Sequence, residues 1–472
     1  VSDTALALLA SFHIFVREAL LFVALGILLC SLDDLFIDAV WIGRSLWRRL
    51  TVYRRHTRAT AESVRRADPG VIAIFVPAWD EGDIVGAMLR RLTATLDYPR
   101  YRVFVGVYPN DPVTLAAVRG VGDRRIETVV CTRPGPTTKA DCLNHLWRAL
   151  VDWEDATGVA AKAVVLHDAE DVVHPQELWV HDALIPRFAM VQLPVLPLPD
   201  PTSRWVSGHY LDEFAESHMK DLVVREALGA ALPSAGVASG IERAILGRIA
   251  AAAGGAPFDA ASLTEDYELG HRIRAFGGRA ALVRIRSGAD RVIVATQEHF
   301  PATFAAAVRQ KSRWLTGIAL AGWDRLGWPG GAADRYMLLR DRKALVAAAL
   351  TMAGYAVVGL VAVDTALVAA ATRATPGLVV PPLAAGWLAP LVIFNAAMLA
   401  WRLVLRAGFT THAYGWHEGL RAIPRAIVSN LVNAAAAWVA CNRYGAMLQR
   451  GDALAWEKTA HRFPGSPGGG DR

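Results

Sequence analysis

Residues 163–175 read AVVLHDAEDVVHP: an apolar run, three carboxylates within four positions (Asp168, Glu170 and Asp171), then a proline. A short β-branched run that stops abruptly at polar residues predicts a strand buried in a sheet. Four further runs read the same way, VIAIFVPAW (71–79), YRVFVGVY (101–108), RIETVVC (125–131) and ALVRIRS (281–287), and they alternate with helical patterns such as DIVGAMLRRLTATL (83–96). Strands alternating with helices predict βαβ units, and so an α/β domain with a mainly parallel sheet from about Asp68 to Asp324. In such sheets ligands bind at the carboxyl ends of the strands, where the three carboxylates fall. On a solvated turn an Asp-x-Glu needs no ligand. Projecting from a buried strand, hard oxygen ligands suit Mg2+ or Mn2+, which shares its coordination with substrate phosphates; a nucleotide diphosphate would supply them.

Outside this domain the composition changes. The 472 residues are 53% hydrophobic with a mean hydropathy of +0.28, too apolar for one soluble domain and too charged for a membrane protein throughout. Residues 1–43 are expected to form an N-terminal transmembrane segment. Arg17 and Glu18 interrupt its apolar stretch, so the crossing is placed at about Ala19 to Trp41, and with no small-residue cleavage site it is not a removable signal. Residues 44–67 follow as a basic cytoplasmic linker in which Arg44, Arg48, Arg49, Arg54, Arg55, Arg58, Arg65 and Arg66 face one acid, Glu62. Beside a span such a cluster is a topological anchor rather than a nucleic-acid patch. After the 68–328 domain come two apolar stretches within 329–408, Ala344 to Ala371 and Leu378 to Leu405. Residues 409–450 are expected to be amphipathic and interfacial because arginines flank Ile427 to Asn442 on both sides, and the 451–472 tail ends in a disordered PGSPGGGDR. Three crossings put the central domain and C-terminus in the cytoplasm. Asp33, Asp34 and Asp38 either lie towards an interface or face protein or a polar channel, since carboxylates at depth are costly. Cys30, Cys131, Cys142 and Cys441 have no metal-ligand spacing, and there is no internal repeat.

Two more charged blocks carry chemistry. In LTEDYELGHRIRAFGG (263–278), Glu265 and Asp266 introduce a helix, where acids are favourable at the dipole's positive end without any catalysis. In RQKSRWLTG (309–317), Arg309, Lys311, Arg313 and Trp314 read as headgroup contacts if taken alone. In order, however, Asp168-Ala169-Glu170, Thr264-Glu265-Asp266 and Gln310-Lys311-Ser312-Arg313-Trp314 resemble the Asp-x-Asp, Thr-Glu-Asp and Gln-x-x-Arg-Trp of the membrane-embedded, processive family 2 glycosyltransferases. VPAWDEG (76–82) and KADCLN (139–144) resemble two further family motifs, so the likeness covers roughly 71–320. The flanks SLDDLFIDAVW (31–41) and AWEKTAHRFP (455–464) resemble more narrowly the bacteriophage N4 adsorption protein B group.

The resemblance implies a GT-A-like, Rossmann-like mixed α/β domain in the cytoplasm, flanked by transmembrane helices of a bacterial inner membrane. It implies that Pro77, Glu81, Asp111, Lys139 and Asp168 bind the nucleotide-sugar, lysine acting as a point charge for phosphate. Asp168 with Glu170, or with Asp171 by a shifted turn, holds Mg2+ or Mn2+. Asp266, beside Glu265, is the general base; Gln310 and Arg313 steady the leaving diphosphate; Trp314 stacks on the acceptor sugar. The reaction implied is then an inverting transfer from a UDP-sugar to a growing polysaccharide. An export partner or a second copy of the chain would complete a translocation path. Single transfer to a lipid-linked acceptor, and a non-catalytic envelope or phage-receptor component, are the rival readings. The chain departs from the family at Glu170, usually Asp, in the VGVYPNDP loop (105–112), and near ASGIERAIL (238–246), where only Arg243 fits loosely. His167 and His299 are read as hydrogen-bonded structural histidines and kept out of the site.

Overall fold

The computed structural model describes residues 2–185, 187–288, 291–450 and 463–464; apart from Phe463 and Pro464, the expectations for 451–472 lie outside these residues. Among the described residues nine strands form: β1 Val71–Pro77, β2 Tyr101–Val107, β3 Ile126–Val130, β4 Ala161–Leu166, β5 Met190–Gln192, β6 Val195–Pro197, β7 Ser239–Glu242, β8 Ala280–Leu282 and β9 Thr296–Glu298. Seven of them make one sheet in the order β3-β2-β1-β4-β7-β5-β8, and β6 pairs with β9 apart from it. The long strands read as unbroken apolar runs because both faces are covered. On β1, Ile72, Ile74 and Val76 pack against Met88, Leu89 and Leu92 of helix Val85–Thr95, while Ala73 and Phe75 share the opposite core with Leu143, Leu146 and Leu150 of helix Lys139–Thr157.

The order of the strands fixes the site. From β1 the chain winds outward through β2 to β3, then returns to lay β4 against the other edge of β1, with β1 parallel to both neighbours. The winding therefore reverses between β1 and β4, and the crevice at their carboxyl ends is the expected ligand position. The sheet is mixed, since β7 runs antiparallel to both β4 and β5. The strand expected over 281–287 is confined to Ala280–Leu282, and only isolated bridges involve Arg286.

Among the described residues three helical runs are long and apolar enough to cross a membrane: Asp3–Arg55, Ala344–Ala374 and Leu388–Tyr414. In the first, the helix runs on through Arg17 and Glu18, Asp3–Trp47 being one α-helix of 45 residues. At 1.5 Å per residue that is about 67 Å, roughly twice the hydrocarbon thickness; charged side chains leave helical backbone bonding intact. The third begins at Leu388 rather than Leu378, because Pro381, Pro382 and Gly386 (φ +63°) precede it. Residues 416–450 form one helix, Trp416–Arg450, with Pro424 inside it.

Asp33, Asp34 and Asp38 face protein. Asp33 meets Arg340, Lys343 and the Tyr336 hydroxyl; Asp34 meets Arg340, Lys343 and Arg402. Asp38, 1% exposed, accepts from Lys220 Nζ and Trp401 Nε1, both at 2.9 Å. Each of these three carboxylates thus has a cation on an element that follows the α/β domain or belongs to it.

Candidate active site

Three adjacent strand ends build the cleft. At the end of β1 the chain turns through Asp80, a non-glycine residue at φ +56°. Asp111 holds this turn: its Oδ2 accepts from the Asp80 N–H at 2.6 Å, and its Oδ1 caps helix Pro112–Arg119 by accepting from the Thr114 N–H at 3.1 Å. Glu81 donates its N–H to Thr114 Oγ1 at 2.9 Å, so the loops after β1 and β2 move as one piece. Asn110 makes a two-bond clasp to Gly135, donating from Nδ2 to its carbonyl at 2.8 Å and accepting its N–H at 2.7 Å. Trp79 and Tyr108 pack edge to face behind this clasp, their ring centroids 5.1 Å apart.

At the end of β4 the three carboxylates separate in role. Asp171 Oδ2 accepts from His167 Nδ1 at 2.7 Å and from the Asp168 N–H at 3.1 Å, stapling the turn. His167 Nε2 lies 2.8 Å from Glu177 Oε1, so both ring nitrogens donate to carboxylates. Burial alone would lower the His167 pKa; Glu177 and Asp171 outweigh it and push it up to about 10, which makes His167 a buried imidazolium. Asp168 projects from the staple, and its Oδ1 lies 2.5 Å from Lys139 Nζ. Lys139 opens helix Lys139–Thr157, whose Thr138 cap accepts from the Asp141 N–H at 3.2 Å.

Lys139 joins the two halves of the site. Burial would lower its pKa, but Asp168, Glu265 and Asp266 together hold it well above its ordinary value. Glu265 and Asp266 start helix Glu265–Ala275. Burial pushes both carboxyls up, and on each Lys139 pulls the other way. Thr264 itself makes no side-chain cap, and its Oγ1 is buried without a partner. The turn fits under two glycines. A Cβ on Gly236, at φ +79°, would lie 2.5 Å from Asp266 Oδ2, and one on Gly317 would lie 2.5 Å from Thr264.

Gly317 follows helix Phe304–Leu315, which brings Arg313 within electrostatic reach of Asp266. Gln310 is buried with no partner for Oε1, and half-buried Trp314 rests against Tyr210 and Phe214, centroids 6.3 and 6.5 Å away. Lys311 turns away from the cleft, contacting Glu213 and donating to Asn433 Oδ1 at 3.0 Å.

One acid of the cleft was not anticipated. Val172 and Gln297 exchange backbone hydrogen bonds of 2.8 and 3.0 Å, which sets Glu298 beside the acidic turn. Burial raises its carboxyl pKa, and Asp171, Glu170 and Asp168 raise it further. The sequence signal was present next to His299, but the pairing that gives it meaning spans more than 120 residues. Asp168, Glu170, Asp171 and Glu298, four hard carboxylates within electrostatic reach of one another, with Asp171 Oδ1 buried and unbonded, fit a divalent cation in chemistry and in charge. Among the described residues, no three such side chains yet close on one point.

Residues 69–317, just over half of the chain, match the family described as glycosyltransferase like family 2. The chain belongs to that family. This glycosyltransferase is also 37% identical over 460 residues to two Escherichia coli proteins, a bacteriophage adsorption protein B and a bacteriophage N4 adsorption protein B. The match covers 93% of this chain, which spans 61% of the length of those relatives. Among solved structures it is similar to mannosyltransferase PcManGT from Pyrobaculum calidifontis in complex with GDP-Man and Mn2+, at 17% identity and a TM-score of 0.44, over 85% of this chain and 98% of that one. It is also similar to glucosyl-3-phosphoglycerate synthase from Mycobacterium tuberculosis in complex with Mn2+, UDP-glucose and phosphoglyceric acid, at 15% identity and a TM-score of 0.33, over 58% and 87%. Its family domain and three membrane-length helices make it a membrane-associated glycosyltransferase.

Proposed function

We propose that this enzyme transfers a sugar from a UDP-sugar to a growing polysaccharide, with inversion, at the cytoplasmic face of a bacterial inner membrane. The observation that carries the reading is the single ammonium of Lys139 acted on by both Asp168 at the strand end and the Glu265–Asp266 pair on the base helix. In this reading Lys139 is a phosphate-binding cation between a metal-type carboxylate and a candidate base.

Asp266 takes the proton from the acceptor hydroxyl as that oxygen attacks the anomeric carbon. The bond from the anomeric carbon to the diphosphate oxygen breaks, and the electron pair leaves with UDP. Lys139 and Arg313 face the charge that develops on the leaving group, and Gln310 offers its unbonded carbonyl oxygen to a hydroxyl. Asp168 and Glu170, with Glu298 and Asp171 close by, would hold Mg2+ or Mn2+, which supplies charge stabilisation at the diphosphate. Pro77, Glu81 and the Asp111-clasped turn form the floor of the nucleoside pocket. Trp314 offers its outer face to the acceptor sugar. The bacteriophage adsorption named in the Escherichia coli relatives fits an envelope glycan as product.

Purified enzyme in lipid is expected to release UDP from one member of a panel of UDP-sugars, dependent on Mg2+ or Mn2+. Labelled product should run as a ladder on a gel. A single lipid-linked sugar would replace the polymerase by a one-step transferase, and no UDP release from any donor would contradict both.

A further inference from the structure

The base helix is suspended from the membrane side of the molecule. Tyr267, 6% exposed, follows the candidate base directly, and its backbone N–H donates to Asp266 Oδ1 at 2.7 Å. Its side chain runs the other way and donates from the hydroxyl to Asp341 Oδ2 at 2.6 Å. Asp341 is gripped in turn by Arg225, whose Nη1 reaches both carboxylate oxygens at 3.0 and 2.8 Å while its Nε donates to the Ala231 carbonyl at 2.6 Å. The Ala231 N–H closes the bracket on Asp334 Oδ1 at 2.7 Å.

Asp334 and Asp341 lie two turns apart on one face of helix Ala332–Arg342. From another face Tyr336 and Arg340 reach Asp33 on the first membrane helix, and Lys343 joins them as this helix leads into the Ala344–Ala374 span. One short helix therefore holds the membrane frame on one side and the base helix on the other.

We propose that Asp341 and Tyr267 are positioning residues for Asp266: Asp341 fixes the Tyr267 side chain, which fixes the N–H that orients the Asp266 carboxylate towards the acceptor. The inference rests on Asp266 being the base. Neither residue touches the donor pocket, so loss of the link changes turnover and leaves donor binding alone.

The test uses the full chain in lipid nanodiscs with the UDP-sugar that the wild type turns over. Tyr267→Phe keeps the ring and the Arg225–Asp341 pair, so it folds; kcat is expected to fall about tenfold, while the donor KM and the Kd for UDP stay within about twofold. Asp341→Asn should lose as much, Asp341→Glu less, and the double variant Tyr267→Phe with Asp341→Asn no more than either single change, because the two act on one bond path. Wild-type kcat in Tyr267→Phe, or kcat, KM and thermal stability changing together, would overturn the proposal. If Asp266→Asn itself retains turnover, the base assignment has failed; if Asp266→Asn is inactive and Tyr267→Phe is normal, only the positioning has failed.

Discussion

The molecule contains two dense groups of carboxylates, and they are balanced differently. On the first membrane helix Asp33, Asp34 and Asp38 meet Arg340, Lys343, Arg402 and Lys220, with a cation for each acid. In the cleft Asp168, Glu265, Asp266 and Glu298 share Lys139, Glu170 and Asp171 add their charge beside Glu298, Arg313 acts on Asp266, and His167 is bound to Asp171 and Glu177. A matched cluster holds helices together, because buried ion pairs fix geometry whether or not they add stability. A cluster with surplus negative charge is held together only by the surrounding fold, and the surplus is where a cation or a proton does chemistry.

Asp168→Asn tests the surplus most severely. It removes the carboxylate that faces Lys139, and transfer is expected to fall by about 10²–10³ while thermal unfolding of the protein stays near wild type. Retained transfer would make the cleft another structural cluster. Glu298→Gln should cost less, about 10-fold to 100-fold, as an outer contributor to the same site, and should raise the Mn2+ concentration needed for half-maximal rate. The pH profile follows from the direction of the Asp266 shift. A base acts deprotonated and burial raises this carboxyl, so the rate should climb with rising pH at values above the ordinary carboxylate pKa of about 4. An acid limb at or below 4 would remove the burial argument. Asp38→Ala probes the balanced cluster and should change kcat by less than about twofold. It leaves Trp401 Nε1 without its acceptor while Lys220 keeps Glu216 at 2.6 Å, and thermal unfolding should show a loss of about 1–3 kcal/mol.

The difference between the clusters also explains what could be read from the sequence. β1 to β4 were legible because each is five to seven residues long and mostly β-branched or apolar. β5, β6, β7 and β9, three or four residues each, carry no period of their own and exist because distant segments supply their hydrogen bonds, β6 and β9 pairing with each other. Motif order brought Asp168, Asp266 and Arg313 into one reading; in the fold Asp168 and Asp266 act on Lys139, and Arg313 acts on Asp266. Glu298 was out of reach because its place depends on the Val172–Gln297 bridge. The two readings of Asp33 and Asp34 could not be separated either, since their partners Arg340, Lys343 and Arg402 lie some 300 residues further along the chain. Glu170 and Asp171 look interchangeable in sequence; the bonds from His167 and the Asp168 N–H give Asp171 the task of holding the turn.

The most direct measurement compares UDP release by purified wild-type and Asp266→Asn enzyme, each reconstituted in lipid, across a panel of UDP-sugars with Mg2+ or Mn2+. Wild-type release from one donor, reduced by about 10²–10⁴ in the variant with UDP affinity unchanged, is the predicted result. Equal release from both proteins would contradict the account.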